Sequence, residues 1–158
     1  MKIRKMADAD KPKWIELRRA VWPDCPEERH SLEVERLLRS DGVVLLAEDS
    51  DGQALGFVEV SIRRDHVEGT SSAPVPYLEG WYVISSHRRR GIGRALIEGA
   101  VEWAVEAGFL ELASDAEIGN HVSIQARSDL GFREVGRSVH FVRAFGVTSA
   151  ARCGSVRR

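Results

Sequence analysis

One carboxylate, Glu79, and one basic glycine loop carry most of the chemical promise of this chain. Glu79 lies in the apolar run Leu78-Glu79-Gly80-Trp81-Tyr82-Val83. That run leads into Arg88-Arg89-Arg90-Gly91-Ile92-Gly93-Arg94, and a helix opens with Ala95-Leu96-Ile97. A helix start leaves its first N–H groups without partners and carries partial positive charge, so it suits an anion. Glycine lets such a backbone approach a phosphate closely. The segment thus joins a phosphate cradle to an acid able to hold an amine. The loop lacks the Lys-Ser/Thr ending of a P-loop and the three-glycine spacing of a dinucleotide fold. Taken alone, it could equally be an ordinary strand-to-helix turn. Glu79 alone could be a strand acid facing solvent and satisfied by a neighbouring arginine, and Asp115 a turn or helix-capping acid.

Positioning these groups requires a set of elements that periodicity supplies. Lys2 to Met6 reads as a short strand, and Asp8 as the N-cap of a helix with Pro12 in its first turn. Trp14, Leu17 and Val21 recur at helical spacing until Pro23 and Pro26 intervene. A second helix places Leu32, Leu37 and Leu38 inward and ends at Asp41-Gly42. Val43–Glu48 and Leu55–Ile62 read as a hairpin around Asp51-Gly52. The stretch from Arg63 to Pro76, rich in charge, Gly, Ser and Pro, is a loop. Tyr77 to Ser85 is a strand, and Gly93 to Ala107 a helix with Leu96, Ala100, Trp103 and Ala104 inward and Gly108 as its cap. Phe109 to Ala113 is a strand, His121 to Leu130 a helix ended by Gly131, and Val139 to Phe145 a last strand. The order β-α-α-β-β-β-α-β-α-β defines an α/β (α+β) fold with a mixed, mostly antiparallel sheet, its one parallel crossover spanning residues 77–113. It is not doubly wound.

The chain has 158 residues, enough for one well-buried core. Residues 1–145 are expected to form that domain and 146–158 a flexible tail. A net charge of −1 gives no global attraction to nucleic acid or membrane. Three arginines beside a glycine loop, without interleaved aromatics, do not make a nucleic-acid surface. Cys25 and Cys153 could pair, but nothing in their spacing requires it, and His87, His121 and His140 form no metal pattern. No apolar signal core or membrane-length run is present, so a cytoplasmic protein without metal is expected.

Arg88-x-x-Gly91-x-Gly93 between a strand and a long helix resembles the coenzyme A signature of the GNAT acyltransferases. The element order is similar to that fold over residues 1 to about 145. The resemblance implies acetyl-CoA as co-substrate. Trp81, Tyr82 and Val83 would line its pantetheine arm, and Arg88, Arg89, Arg90, Gly91, Ile92, Gly93 and Arg94 would hold the phosphates. The strings Glu-Gly-Trp-Tyr-Val at 79–83 and Leu-Ala-Ser-Asp at 112–115, with Asn120 and Ala126-x-x-x-Leu130-Gly131-Phe132, resemble more narrowly the aminoglycoside 6′-N-acetyltransferases. That likeness implies Trp22, His66, Glu79 and Asp115 as substrate contacts and Asn120 as a coenzyme contact. It also implies a homodimer, sometimes formed through the last strand. The sequence departs from the family after Gly131-Phe132, where Gly136 stands in place of an expected acid, and it has no tyrosine after Asn120.

Acetyl transfer needs a neutral amine, close reactants, a donor for the carbonyl oxygen and tolerance of the leaving thiolate. Neutralising an alkyl amine at pH 7 costs roughly 4–5 kcal/mol. Carboxylates favour the cation, so one acid must also accept a proton. Glu79 is assigned that role and Asp115 orientation of the amine. The Val83 N–H is a candidate carbonyl donor, and Ser123 could bridge a water to the sulfur. The alternatives are a GNAT enzyme acting on a polyamine or protein amine and a non-catalytic coenzyme A-binding module.

Overall fold

In the computed structural model, which describes residues 1–146, a five-stranded sheet runs in the order β1-β2-β3-β4-β5. Cys153 and the expected tail beyond Gly146 lie outside the described residues. The strands are β1 (Lys2–Lys5), β2 (Val43–Glu48), β3 (Ala54–Arg63), β4 (Val75–Val83) and β5 (Ala113–Ser114). The helices are α1 (Lys11–Val21), α2 (Glu27–Leu38), α3 (Ile92–Glu106) and α4 (His121–Asp129). The first four strands pair antiparallel, and β5 joins β4 in parallel across α3, as expected.

The sheet is covered on both faces, which explains why β2 is apolar at consecutive positions rather than alternate ones. Val43, Leu45, Ala47, Val58, Val60 and Leu78 pack with Ile92, Leu96, Ile97 and Ala100 of α3. Val44, Leu46 and Phe57 pack on the other face with Trp14 and Leu17 of α1, Val34 and Leu37 of α2, and Trp22. Helix α1 carries Pro12 in its first turn and stops where Trp22 N–H closes on the Arg18 carbonyl, just before Pro23. Gly108, at φ 86°, ends the turn after α3, with Phe109 N–H bonded back to the Ala104 carbonyl.

The model corrects several local expectations. Asp8 opens a short 3₁₀ turn, and Asp10 precedes α1 instead, its carboxylate accepting from the Ala7 N–H and the Arg4 guanidinium. Leu32 is 69% exposed, because the inward line of α2 is His30, Val34 and Leu37. The strand at Phe109–Ala113 shortens to Ala113–Ser114. The expected strand at Val139–Phe145 does not form. Its residues pair with no other strand among the described residues, and Val139, Phe141, Val142 and Phe145 stand exposed. The outer edge of β5 is only two residues long, too short to template a strand of seven.

Arg4 joins β1 to the start of α1 through a fork on Asp10, and its hydrogen bonds hold the Asp10 carboxyl down at about 2. Stability from this pair is complete above the ordinary carboxyl range and is lost as pH falls toward about 2. Asp10→Asn is therefore expected to cost about 2 kcal/mol at pH 7. Urea unfolding of both proteins from pH 7 downward should show that deficit shrinking below about pH 4.

Candidate active site

The two acids fall at one level of the sheet, where β4 and β5 part after two rungs, Tyr77 with Ala113 and Leu78 with Ser114. The next rung in that register would set Glu79 against Asp115, and there the ladder ends. From Glu79 to Val83, β4 is open on the β5 side while still bonded to β3 on the other. Glu79 is itself an irregularity. Glu59 pairs with Gly80 and Val60 with Leu78, so Glu79 is an extra residue without a β3 partner. Such a bulge turns a side chain away from the regular alternation.

Three donors hold the Glu79 carboxylate. Ser61 Oγ–H donates to Oε1 at 2.6 Å, Arg63 Nε–H to Oε1 at 3.1 Å and Arg63 Nη2–H to Oε2 at 2.9 Å. The Arg63 guanidinium lies 3.3 Å from the centre of the Tyr77 ring. Burial pushes the Tyr77 phenol far above its ordinary range, and the nearby Asp115 carboxylate adds to the rise while Arg63 opposes it. Arg127 of α4 donates to Ser114 Oγ at 2.9 Å and to the Ser123 hydroxyl, and stands 5.9 Å from the Trp81 ring centre. Burial lowers the pKa of its guanidinium, while Asp115 acts to raise it.

The floor of this site is a buried polar network. Glu59, 1% exposed, accepts from Trp14 Nε1–H at 2.6 Å and from Arg18, which also bonds Glu33. Desolvation raises the Glu59 carboxyl, opposed by Arg18 and Trp14. Trp22 is buried at 7% exposure, with the Arg18 guanidinium 4.5 Å from its ring centre. A Cβ on Gly80 would meet Trp22 Cη2 at 2.6 Å, so only glycine lets the indole sit beneath the residue next to Glu79. His66 lies exposed on the loop before β4, its Nε2 3.9 Å from the Glu68 carboxylate. No contact among the described residues joins His66 to either acid. That loop is fastened by Glu111, whose carboxylate accepts from the Ser71 and Ser72 amides and the Ser72 hydroxyl.

Beyond the open edge, Ser85–His87 make a 3₁₀ turn, Arg89 takes φ 62° and Gly91 φ 80°, and α3 begins at Ile92. The N–H groups of Arg89 to Arg94 meet no acceptor among the described residues. Successive amides freed around left-handed residues form a concave anion nest. Arg88 folds back instead, its Nε–H donating to the Val83 carbonyl at 3.0 Å. Trp81 Nε1 is buried without a partner, and a Cβ on Gly93 would meet the Trp81 ring at 2.8 Å. Asn120 caps α4 by accepting from the Ser123 N–H at 3.0 Å. The residues present fit a diphosphate on the loop with a thin chain lying along the open strand.

Sequence reading missed Ser61, Arg63, Tyr77 and Arg127. A signal existed for the first two: Glu59, Ser61 and Arg63 form a polar period-two stripe in Val58-Glu59-Val60-Ser61-Ile62-Arg63.

This architecture is that of an acyltransferase, and the comparisons agree. The acetyltransferase (GNAT) family model matches residues 5–132, and the chain belongs to that family. An aminoglycoside N(6′)-acetyltransferase type 1 of Stenotrophomonas maltophilia is 40% identical over 139 residues, covering 88% of this chain and 90% of its own length. The enzyme of that name from Salmonella enteritidis is 36% identical, covering 89% and 97%. Among solved structures, AAC(6′)-Iy in complex with the bisubstrate analogue CoA-S-monomethyl-acetylneamine matches with a TM-score of 0.85 at 35% identity, covering 90% of this chain and 97% of that one. AAC(6′)-IG from Acinetobacter haemolyticus matches with a TM-score of 0.84 at 39% identity, covering 92% and 100%. No helix among the described residues is long and apolar enough to cross a membrane, and no group of three or more His, Cys, Asp or Glu there could hold a metal ion.

Gly93→Ala is expected to push the Trp81 ring into the gap beside β4. Calorimetry with coenzyme A should show about tenfold weaker binding with a melting temperature changed by only a few degrees.

Proposed function

We propose that this protein transfers an acetyl group from acetyl-CoA to the 6′-amino group of aminoglycosides, by direct transfer in a ternary complex. The observation that carries the reading is the end of the β4–β5 ladder at the Glu79–Asp115 rung, which leaves two acids beside an open strand that runs to an anion nest. The aminoglycoside acetyltransferases at 35–40% identity over most of the chain support the choice of amine.

The diphosphate of acetyl-CoA occupies the amides of residues 89–94, with Arg88–Arg94 supplying countercharge and Asn120 a further coenzyme contact. The pantetheine arm follows Trp81, Tyr82 and Val83. The amine nitrogen attacks the thioester carbon, a C–N bond forms, the C–S bond breaks, and the thiolate leaves. Glu79 takes the amine's proton directly or through water, and Asp115 orients the ammonium before transfer. The Val83 N–H donates to the carbonyl oxygen as charge builds there. The thiolate is a stable leaving group near its free pKa of about 8.5 and takes its proton from water. Trp22 supports the substrate pocket from below, and His66 approaches it from the loop before β4. We further propose a single catalytic domain over residues 1–145 followed by a tail, a cytoplasmic location and a homodimer. The exposed apolar side chains of Val139, Phe141, Val142 and Phe145 support association.

Mass analysis after incubation with acetyl-CoA and kanamycin A should show one acetyl, placed on the 6′ nitrogen; acetylation of a polyamine or peptide instead would overturn the substrate class. Glu79→Gln is expected to lower kcat/KM by about 10²-fold or more across the pH range. Asp115→Asn should act mainly on KM, by about tenfold. Wild-type turnover by the Gln variant at every pH would remove Glu79 from the role of base.

A further inference from the structure

The acid assigned to the substrate amine is already holding a cation. Arg63 grips both oxygens of Glu79, at 3.1 and 2.9 Å, and Ser61 takes a further bond to Oε1. A carboxylate has about four acceptor positions, so three of Glu79's are occupied. Both partners of the pair retain solvent access, with side chains 42% and 27% exposed, so Arg63 is able to swing away. In this position it rests on the Tyr77 ring.

The surroundings on that side are cationic. A cavity of about 390 Å³ beside Glu79 is lined by Arg36, Arg39, Arg63 and Arg64, and its other acid, Asp41, is bonded to Arg64 at 2.7 Å. A polycation gains nothing by entering there. On the other side it meets Asp115, and on reaching Glu79 it meets the Arg63 guanidinium.

We propose that Arg63 is a specificity-determining residue that acts as a resident competitor: it occupies Glu79 in the free protein and must be displaced by the substrate's ammonium group. This rests on the aminoglycoside reading above. The consequence is a threshold. A lone amine has only Glu79 with which to unseat a forked guanidinium, whereas an amine on a polycationic scaffold brings further contacts, such as Asp115, to the exchange. Removing the fork lowers the threshold, and the gain must depend on Glu79.

Calorimetric titration of the intact protein with kanamycin A, in the wild type, Arg63→Gln, Arg63→Lys, Glu79→Gln and the Arg63→Gln/Glu79→Gln double variant, tests this. Arg63→Gln should bind kanamycin A about three- to tenfold more tightly than the wild type, the scale of a partly exposed charge pair. Arg63→Lys, which keeps the charge but not the fork, should fall between them. In the Glu79→Gln background the Arg63 substitution should change affinity by less than about twofold. The single-amine sugar 6-amino-6-deoxyglucose should bind measurably only when the fork is gone. Equal or weaker kanamycin A binding by Arg63→Gln, with an unchanged melting temperature, overturns the proposal, and so does a gain that persists without Glu79. If Arg63→Gln unfolds, the Lys variant decides, since weaker binding there also overturns it. Absence of heat with the wild type overturns the aminoglycoside reading and this inference together.

Discussion

Everything proposed for this protein depends on where two strands stop pairing. Strands β4 and β5 share two rungs and then part, and the first rung they lose is the one that would join Glu79 to Asp115. A continued ladder would bond the backbone of residues 79–83 to a neighbour and leave no room for a ligand. Parting exposes that backbone and releases two acids at the same level. The bulge that makes Glu79 the extra residue on β4 compounds the effect, since it frees the side chain from the regular alternation while β3 continues to hold the strand. The antiparallel pairs from β1 to β4 supply the rigidity, with both faces of the sheet buried.

Charge is handled differently at the two ends of this opening. At the nest, positive potential comes from backbone amides and a helix terminus, which need no side-chain rearrangement to meet a diphosphate. At the acids, the Glu79 charge is already matched by Arg63, whose guanidinium lies on the Tyr77 ring. Beneath the acids, Glu59 and Arg18 form a buried pair that also binds Trp14 and lies against Trp22, the indole seated under Gly80. The cofactor end is thus preformed, while the substrate end requires one cation to replace another.

Much of this was legible in the chain. The strand, the Arg-Gly loop and α3 announce themselves because glycine at a left-handed position and a switch from period two to period 3.6 are local properties. Glu79 and Asp115 alone read as ordinary strand and turn acids, and the strings around them, Glu-Gly-Trp-Tyr-Val and Leu-Ala-Ser-Asp, were what singled them out. The bulge did not, because it is a mismatch between two strands and exists in neither alone. Arg63 and Tyr77 were passed over because their importance lies in what they touch across the sheet. Leu32 read as core from type alone, though the face of α2 belongs to His30, Val34 and Leu37. The strand expected at Val139–Phe145 has the composition of an edge, but β5, which ends the sheet, offers only two residues to pair with.

The most direct test is a crystal structure of the protein with coenzyme A and kanamycin A bound together. The account predicts the diphosphate on the amides of residues 89–94, the pantetheine arm along β4 from Trp81 to Val83, and the 6′ nitrogen within hydrogen-bond reach of Glu79 with Arg63 turned aside. Coenzyme A seated away from the gap between β4 and β5, or a 6′ nitrogen remote from both Glu79 and Asp115, would contradict it.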